Sequence, residues 1–275
     1  MNALKKFIRL YLPFGRSVIQ ARLSYRIDFF LFVFGGLFRV FVFYYLWKAV
    51  FTNSTSSTIA GFTLDEMISY IFISDITGRL VSSQADRTVS EEIKQGSIAI
   101  NLVRPINYSS RLLSEAIGTV AWQFIMICLP IWLGFAVVRY ASGGHLPPDI
   151  LTVTLYVFSI VLSFLILFML NFCFGMLAFY TTATWGLSNL KLGILRFFSG
   201  ELIPIAFFPL WLQNTMNFLP FGSMNYTPVM IYLEKFTGMR ALAAIGIQSV
   251  WVIIMLLLSR WVWSRVIRRL TVLGG

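Results

Sequence analysis

The longest charged break in an otherwise apolar chain reads Ala85-Asp-Arg-Thr-Val-Ser-Glu-Glu-Ile-Lys-Gln-Gly-Ser-Ile-Ala-Ile-Asn-Leu-Val-Arg-Pro-Ile-Asn107. Thr88 and Glu91 have the spacing of a capping box, in which two side chains satisfy free amides at a helix start. Gly96 is placed to end that helix. The pattern predicts a short capped helix with adjacent carboxylates at Glu91 and Glu92. This element is either a solvated connection between membrane spans or a docking element for another protein.

The composition around this break is that of a membrane protein. Hydrophobic residues make up 58% of the 275 residues, and only 12% are charged. Mean hydropathy is +0.79, and several apolar runs approach the roughly 20 residues that a membrane-spanning helix needs. We therefore expect an all-α polytopic membrane protein, with residues 1–275 forming a single transmembrane domain.

Six spans are predicted from the apolar runs. The expected ranges are about 27–51, 64–83, 113–138, 150–181, 187 or 192 to 209, and 242–262. The net charge of +11 would suggest nucleic acid in a soluble protein, but in a membrane protein the location of the charge matters more. Most Lys and Arg residues fall at the termini, in region 85–112 and near the start of the fifth span, so these segments are expected to be cytoplasmic.

Two further segments have distinctive patterns. Residues 3–25 alternate apolar and basic groups, which favours an interfacial helix over a flexible basic tail, with a bend expected at Pro13 and Gly15. The apolar stretch 209–233 is broken by prolines, so it is either an outer re-entrant segment of two short helices or an interfacial loop. Its prolines are Pro209, Pro220 and Pro228.

Charged residues inside the predicted spans are candidate pathway residues. Arg39 and Asp75 lie near the middle of two antiparallel spans, so we expect them to face each other. The pair either fixes helix register or lines a substrate or proton pathway. Gly35 and Gly36 would allow close approach of the two helices.

The fifth predicted span contains Glu201 between Gly200 and Pro204. Pro204 cannot donate a hydrogen bond to the carbonyl of Gly200, so we expect a kink. Glu201 could then meet a cationic substrate, cap the freed backbone or bind a neighbouring chain.

Several kinds of chemistry have no support in the sequence. There is no Gly-x-x-x-x-Gly-Lys-Ser/Thr phosphate loop, which argues against ATP hydrolysis by that route. The two cysteines lie inside apolar runs and His145 is the single histidine, so no metal site is expected. No nucleophile motif is recognisable, so an enzyme is not expected.

Taken together, nearly the whole chain resembles the permease subunit of a bacterial ABC type-2 transporter, a family that includes drug, antibiotic and polysaccharide exporters. The segments that carry the resemblance are Glu91-Glu-Ile-Lys-Gln-Gly96 followed by Leu102-Val-Arg-Pro-Ile-Asn107, Phe198-Ser-Gly200 with Pro204 and Phe208-Pro209, and Leu219-Pro-Phe221 with Pro228 and Ile231-Tyr232.

The resemblance implies a set of partners and roles. The chain would be a non-catalytic permease in the bacterial cytoplasmic membrane with both termini cytoplasmic. It would pair with a second permease chain, identical or homologous, and with two copies of an ABC ATPase subunit that bind ATP and Mg. Export of a hydrophobic or amphiphilic substrate, including multidrug efflux, would follow. The residues expected to couple to the ATPase are Glu91, Glu92, Ile93, Lys94 and Gly96. Replacing both glutamates by alanine should keep the fold and uncouple transport.

Two competing hypotheses remain from the sequence. The first is an ion- or proton-coupled secondary transporter that uses Arg39, Asp75 and Glu201, although the internal repeat common in such carriers is not evident. The second is a membrane scaffold without transport activity. No nucleic-acid partner is expected under any of them.

Overall fold

The computed structural model describes residues 3–24, 26–141 and 148–273, and every named element in these ranges is helical. The first half comprises α1 (Ala3–Ser24), α2 (Arg26–Thr52), α3 (Leu64–Val81), α4 (Ala85–Lys94), α5 (Ser97–Val103), α6 (Tyr108–Gln123) and α7 (Leu129–Ala141), with a π-helical turn at Phe124–Cys128 joining the last two. The second half comprises α8 (Ile150–Gly175), α9 (Thr184–Phe198), α10 (Leu210–Phe218), α11 (Pro220–Met224), α12 (Tyr226–Tyr232) and α13 (Gly238–Leu273). The predicted all-α class is confirmed.

Four helices in the described ranges are long and apolar enough to cross a membrane. They are Phe34–Thr52, Tyr108–Val137, Ile150–Phe179 and Gly238–Arg268, and they coincide with the first, third, fourth and sixth predicted spans. The other two predicted spans are the helices α3 and α9. Helix α3 contains four charged residues, and the 15 residues of α9 reach only about 22 Å across a hydrocarbon core of about 30 Å. The count of six spans stays a prediction.

Helix α8 lies at the centre of the bundle, where it contacts α3, α4, α12 and α13. Ile166 is fully buried there, because the apolar side chains of α8 face neighbouring helices on several sides. Asp149 caps the start of the helix, and its carboxylate accepts a hydrogen bond from the Thr152 amide at 2.8 Å. Hydrogen bonding to Thr152 lowers the pKa of the Asp149 carboxyl.

The start of the polar helix differs from the prediction. Helix α4 begins at Ala85, so Thr88 lies within it and the predicted capping box is wrong. The Thr88 hydroxyl donates back to the Gln84 carbonyl at 3.4 Å instead, a local bond that serine and threonine make inside helices. Gly96, at φ +71°, does follow the end of α4, as predicted.

A capping box is present at the start of α3. The Thr63 hydroxyl accepts from the Glu66 amide at 3.2 Å, and the Glu66 carboxylate accepts from the Thr63 amide at 2.9 Å. This reciprocal pair fixes the first turn of the helix that carries Asp75.

Helix α1 is continuous from Ala3 to Ser24, with Pro13 and Gly15 inside it. It packs along α6, and its backbone at Gly15 touches α6 at Gly118. The packing against α6 argues against a free basic tail, while the position of α1 in the membrane interface stays a prediction.

The segment predicted to hold two short helices contains three, α10 to α12, so that prediction is corrected. The chain is extended at Leu219, immediately before Pro220, and it leaves helical geometry again at Asn225. These two breaks divide the apolar stretch into three pieces. Helix α12 is buried within the chain, with Val229 fully inaccessible. The depth of this segment in a membrane stays a prediction. His145, between α7 and α8, lies outside the described residues.

Candidate functional site

A cluster of charged side chains lies between α2 and α3. Asp75 on α3 is 5% exposed, and Arg39 on α2 contacts its Oδ1 atom, which confirms the predicted pair. Arg79, one turn further along α3, donates from Nε to Asp75 Oδ2 at 2.8 Å. Arg79 was not among the predicted pathway residues, although its spacing of four residues from Asp75 on one helix is the signal that pairs them.

Glu201 belongs to the same cluster. Its Oε1 atom lies 3.3 Å from Arg39 Nη1 and 3.5 Å from Arg196 Nε. Glu201 also lies near Gly78, where an added Cβ would be 3.2 Å from its carboxyl carbon. Because two guanidinium groups face this carboxylate, the cluster does not offer it freely to a cationic substrate.

The fifth predicted span ends near this cluster, and its expected kink at Pro204 is wrong. Helix α9 stops at Phe198, and Gly200 takes φ +82°, which only glycine adopts easily. The Tyr70 hydroxyl donates to the Gly200 carbonyl at 2.5 Å. The Gly200 carbonyl, which lies beyond the end of α9, is therefore hydrogen-bonded to a side chain of α3. Pro204 lies beyond α9 and not inside it.

Gly35 and Gly36 of α2 do not bring the backbones of two helices together, although this was expected. A Cβ atom on Gly36 would strike the Arg79 guanidinium, whereas one on Gly35 would meet no atom within 4 Å. Gly36 therefore makes room for a side chain of α3 and not for its backbone.

A cavity of about 580 Å³ adjoins the cluster, and its lining residues come from α1 to α4, α6, α8, α9 and α11. It reaches from Gln84, before α4, to Glu201. This volume is within the range of about 300–1,000 Å³ that small-molecule sites occupy.

A second buried ion pair, which was not predicted from the sequence, connects α4 to α9. Lys191 on α9 donates from Nζ to Asp86 Oδ2 at 2.6 Å and to Asn171 Oδ1 at 2.5 Å. The Lys191 and Asp86 side chains are 6% and 7% exposed. The signal in the sequence was a single lysine within the apolar α9, because a buried amine needs a charged partner.

Helix α4 also packs closely against the end of α8. A Cβ atom on Gly175 would lie 2.7 Å from the Val89 Cβ and 3.1 Å from the Asp86 Cα. The close approach needs a glycine at this position, and it leaves little room for α4 to move independently of α8.

The predicted coupling residues divide into outward and inward groups. Glu91, Lys94 and Gly96 are exposed and Ile93 is partly exposed. Glu92 accepts hydrogen bonds from Arg111 at 2.6 Å and from the Tyr108 hydroxyl at 2.7 Å. The double alanine replacement would therefore remove a contact inside the chain together with any contact to a partner.

Across the ranges that the structure describes, no three His, Cys, Asp or Glu side chains are grouped to hold a metal ion. The chain matches a family profile described as ABC-2 family transporter protein over residues 37–274. A comparison with curated proteins finds no match.

Proposed function

The chain belongs to the ABC-2 family of transporter proteins, and on that premise we propose that it is the permease of an ATP-driven exporter. It forms the pathway for a hydrophobic or amphiphilic substrate together with a second permease chain, identical or homologous. Two copies of a separate ATPase subunit bind ATP and Mg and drive the cycle. Family membership favours this function over a secondary transporter built on Arg39, Asp75 and Glu201.

The observation that carries the proposal is the buried pair between Lys191 and Asp86, at 2.6 Å. It ties α4, the proposed coupling helix, to α9, which forms one wall of the large cavity. Separating two buried charges is costly, so α9 follows when α4 is pushed. ATP-driven closure of the ATPase subunits thus changes the cavity through a short mechanical path.

The proposed topology follows from charge. Both termini and the α4–α5 region lie on the cytoplasmic side of a bacterial cytoplasmic membrane, where Lys and Arg are concentrated. Six spans require α3 and α9 to cross with their charges paired inside the protein, as observed for Asp75 and Lys191. The α10–α12 segment, including Pro209, Pro220 and Pro228, then closes the outer side.

The first test is purification of the tagged chain from its native membrane in mild detergent, followed by mass spectrometry and an ATPase assay. We expect a soluble ATPase subunit to co-purify, and the same sample shows whether the second permease is identical or homologous. Recovery of the chain without any ATPase subunit or activity would contradict the proposal.

A single replacement tests the coupling surface. We expect Glu91→Gln to leave the fold and the cavity intact, because the Glu91 side chain is exposed. Substrate-stimulated ATPase activity of the complex should fall by about tenfold, the effect of losing one charged interface contact worth about 1.4 kcal/mol. The activity is measured in proteoliposomes that contain the complete complex.

Glu234→Gln is the matched control, because it removes one exposed carboxylate from the proposed outer side. Glu92→Gln is a second comparison, and there we expect lower stability as well. Glutamine has one acceptor oxygen and no charge, so either Arg111 or Tyr108 loses its acceptor and the ion pair with Arg111 is lost. Equal activity in Glu91→Gln and Glu234→Gln would place the coupling surface elsewhere.

A further inference from the structure

The cavity between α2, α3 and α9 has an excess of positive charge. Its basic lining residues are Arg22, Arg39, Arg79, Arg87, Lys191 and Arg196. Three carboxylates oppose them: Asp86 and Glu201 line the cavity, and Asp75 pairs with two of the arginines. The lining therefore keeps a net positive charge when every acid is ionised.

The positive excess has identifiable sources. Arg22 and Arg87 line the cavity, and in the described ranges neither is paired with a carboxylate. Arg87 donates to the neutral Asn189 Oδ1 at 3.3 Å. Since the other cations are held by acids, these two guanidinium groups are available to an anion.

Membrane orientation accounts for Arg22 and Arg87, which lie in the proposed cytoplasmic segments, but not for the other arginines that line the cavity. Cytoplasmic loops gather Lys and Arg because of membrane orientation, but Arg39, Arg79 and Arg196 lie within helices and face a common cavity. Guanidinium groups bind phosphate oxygens in a bidentate geometry, and in a partly enclosed cavity such contacts are less screened than at an open surface.

The rest of the cavity lining is partly polar and partly apolar. Uncharged polar side chains such as Gln123, Asn171 and Asn225 line it, and the apolar side chains include Trp122, Ile127, Leu167, Leu192 and Leu195. A charged cavity for a small hydrophilic ion would not need these side chains, whereas an acyl or isoprenoid chain would pack against them. The cavity thus offers cations for a head group and apolar surface for a tail.

We propose that the cavity binds the phosphate head group of an anionic amphiphile, with Arg22 and Arg87 as its principal ligands. This inference rests on the proposed function, because it names the substrate class of the same pathway. A cationic amphiphile is disfavoured, since the carboxylates that would attract it are already held by arginine and lysine.

The test is titration of the purified full-length chain in native mass spectrometry, without the ATPase subunit. The probes are phosphatidylglycerol, phosphatidylcholine and glycerol 3-phosphate. We expect the chain to bind phosphatidylglycerol about tenfold more tightly than phosphatidylcholine. The double variant Arg22→Gln with Arg87→Gln should lose that preference. The matched control is Arg260→Gln with Arg265→Gln, which removes two exposed arginines outside the cavity lining.

Each outcome decides part of the proposal. Equal binding of the two lipids by the wild-type chain overturns it, and so does an equal loss in the cavity variant and the control. Displacement of phosphatidylglycerol by glycerol 3-phosphate at equal concentration supports the phosphate site and replaces the amphiphile by a soluble phosphate ester. The binding measurement is independent of ATPase co-purification, so failure here and failure of the exporter proposal are distinguished.

Discussion

Lys191→Met is expected to destabilise the protein by about 3–5 kcal/mol, because it leaves Asp86 buried without a cation. The Asp86 side chain is 7% exposed, so water from the adjoining cavity replaces the lost ammonium group only in part. Asn171 would also lose its 2.5 Å contact with Nζ. The free energy of unfolding in detergent micelles, measured by denaturant titration, tests this expectation.

A double variant separates charge burial from packing. Lys191→Met combined with Asp86→Leu should recover most of the lost stability, because both charges are then removed together. Lys48→Met is the matched control, since the Lys48 side chain is exposed. If Lys191→Met and Lys48→Met have the same stability, the pair does not hold α4 to α9, and the proposed mechanical path is lost. If the double variant is stable but the ATPase activity of its complex no longer responds to substrate, the pair transmits the motion of α4 to α9.

Gly118→Ala is expected to detach α1 from α6. An added Cβ atom would lie 2.7 Å from the Gly15 Cα and would also strike the Gly15 carbonyl oxygen. These are backbone atoms, so no side chain can rotate away, and such overpacking costs about 1–3 kcal/mol or more. Trypsin cleavage after Arg16 should accelerate by about tenfold or more, as 1.4 kcal/mol of opening free energy corresponds to tenfold.

Two hydrogen bonds of Tyr11, one turn before Gly15, also join α1 to the end of the coupling region and to α6. The Tyr11 hydroxyl of α1 accepts from the Asn107 amide at 2.9 Å, and the Ser114 hydroxyl donates to the Tyr11 carbonyl at 2.7 Å.

Gly134→Ala is the control for Gly118→Ala. It lies on α7, where an added Cβ atom meets no atom within 4 Å. It should be neutral or slightly stabilising through helix propensity. Equal cleavage rates in the two variants would show that α1 does not depend on this glycine contact.

Local sequence patterns predicted a contact or a helix end correctly only where a single interaction determines it. The depth of Arg39 and Asp75 in antiparallel helices was enough to pair them, since each charge needs a partner in an apolar environment. The spacing of Thr88 and Glu91 gave a wrong helix start, because the same residue types satisfy a capping box only when the preceding chain is non-helical. Helix α4 begins at Ala85, so the three residues before Thr88 are already helical.

Apolar content and its interruptions by themselves determined the all-α membrane fold, because backbone polar groups in a membrane are satisfied within helices. They also located the charged break that separates the third helix from the sixth. Tertiary structure alone decided which charges on different helices are paired: Glu201 and Arg196 join the pair of Arg39 and Asp75, Lys191 holds Asp86, and Glu92 turns inward to Arg111. Ion pairs between distant helices depend on how the helices pack, and spacing along one chain does not specify that packing.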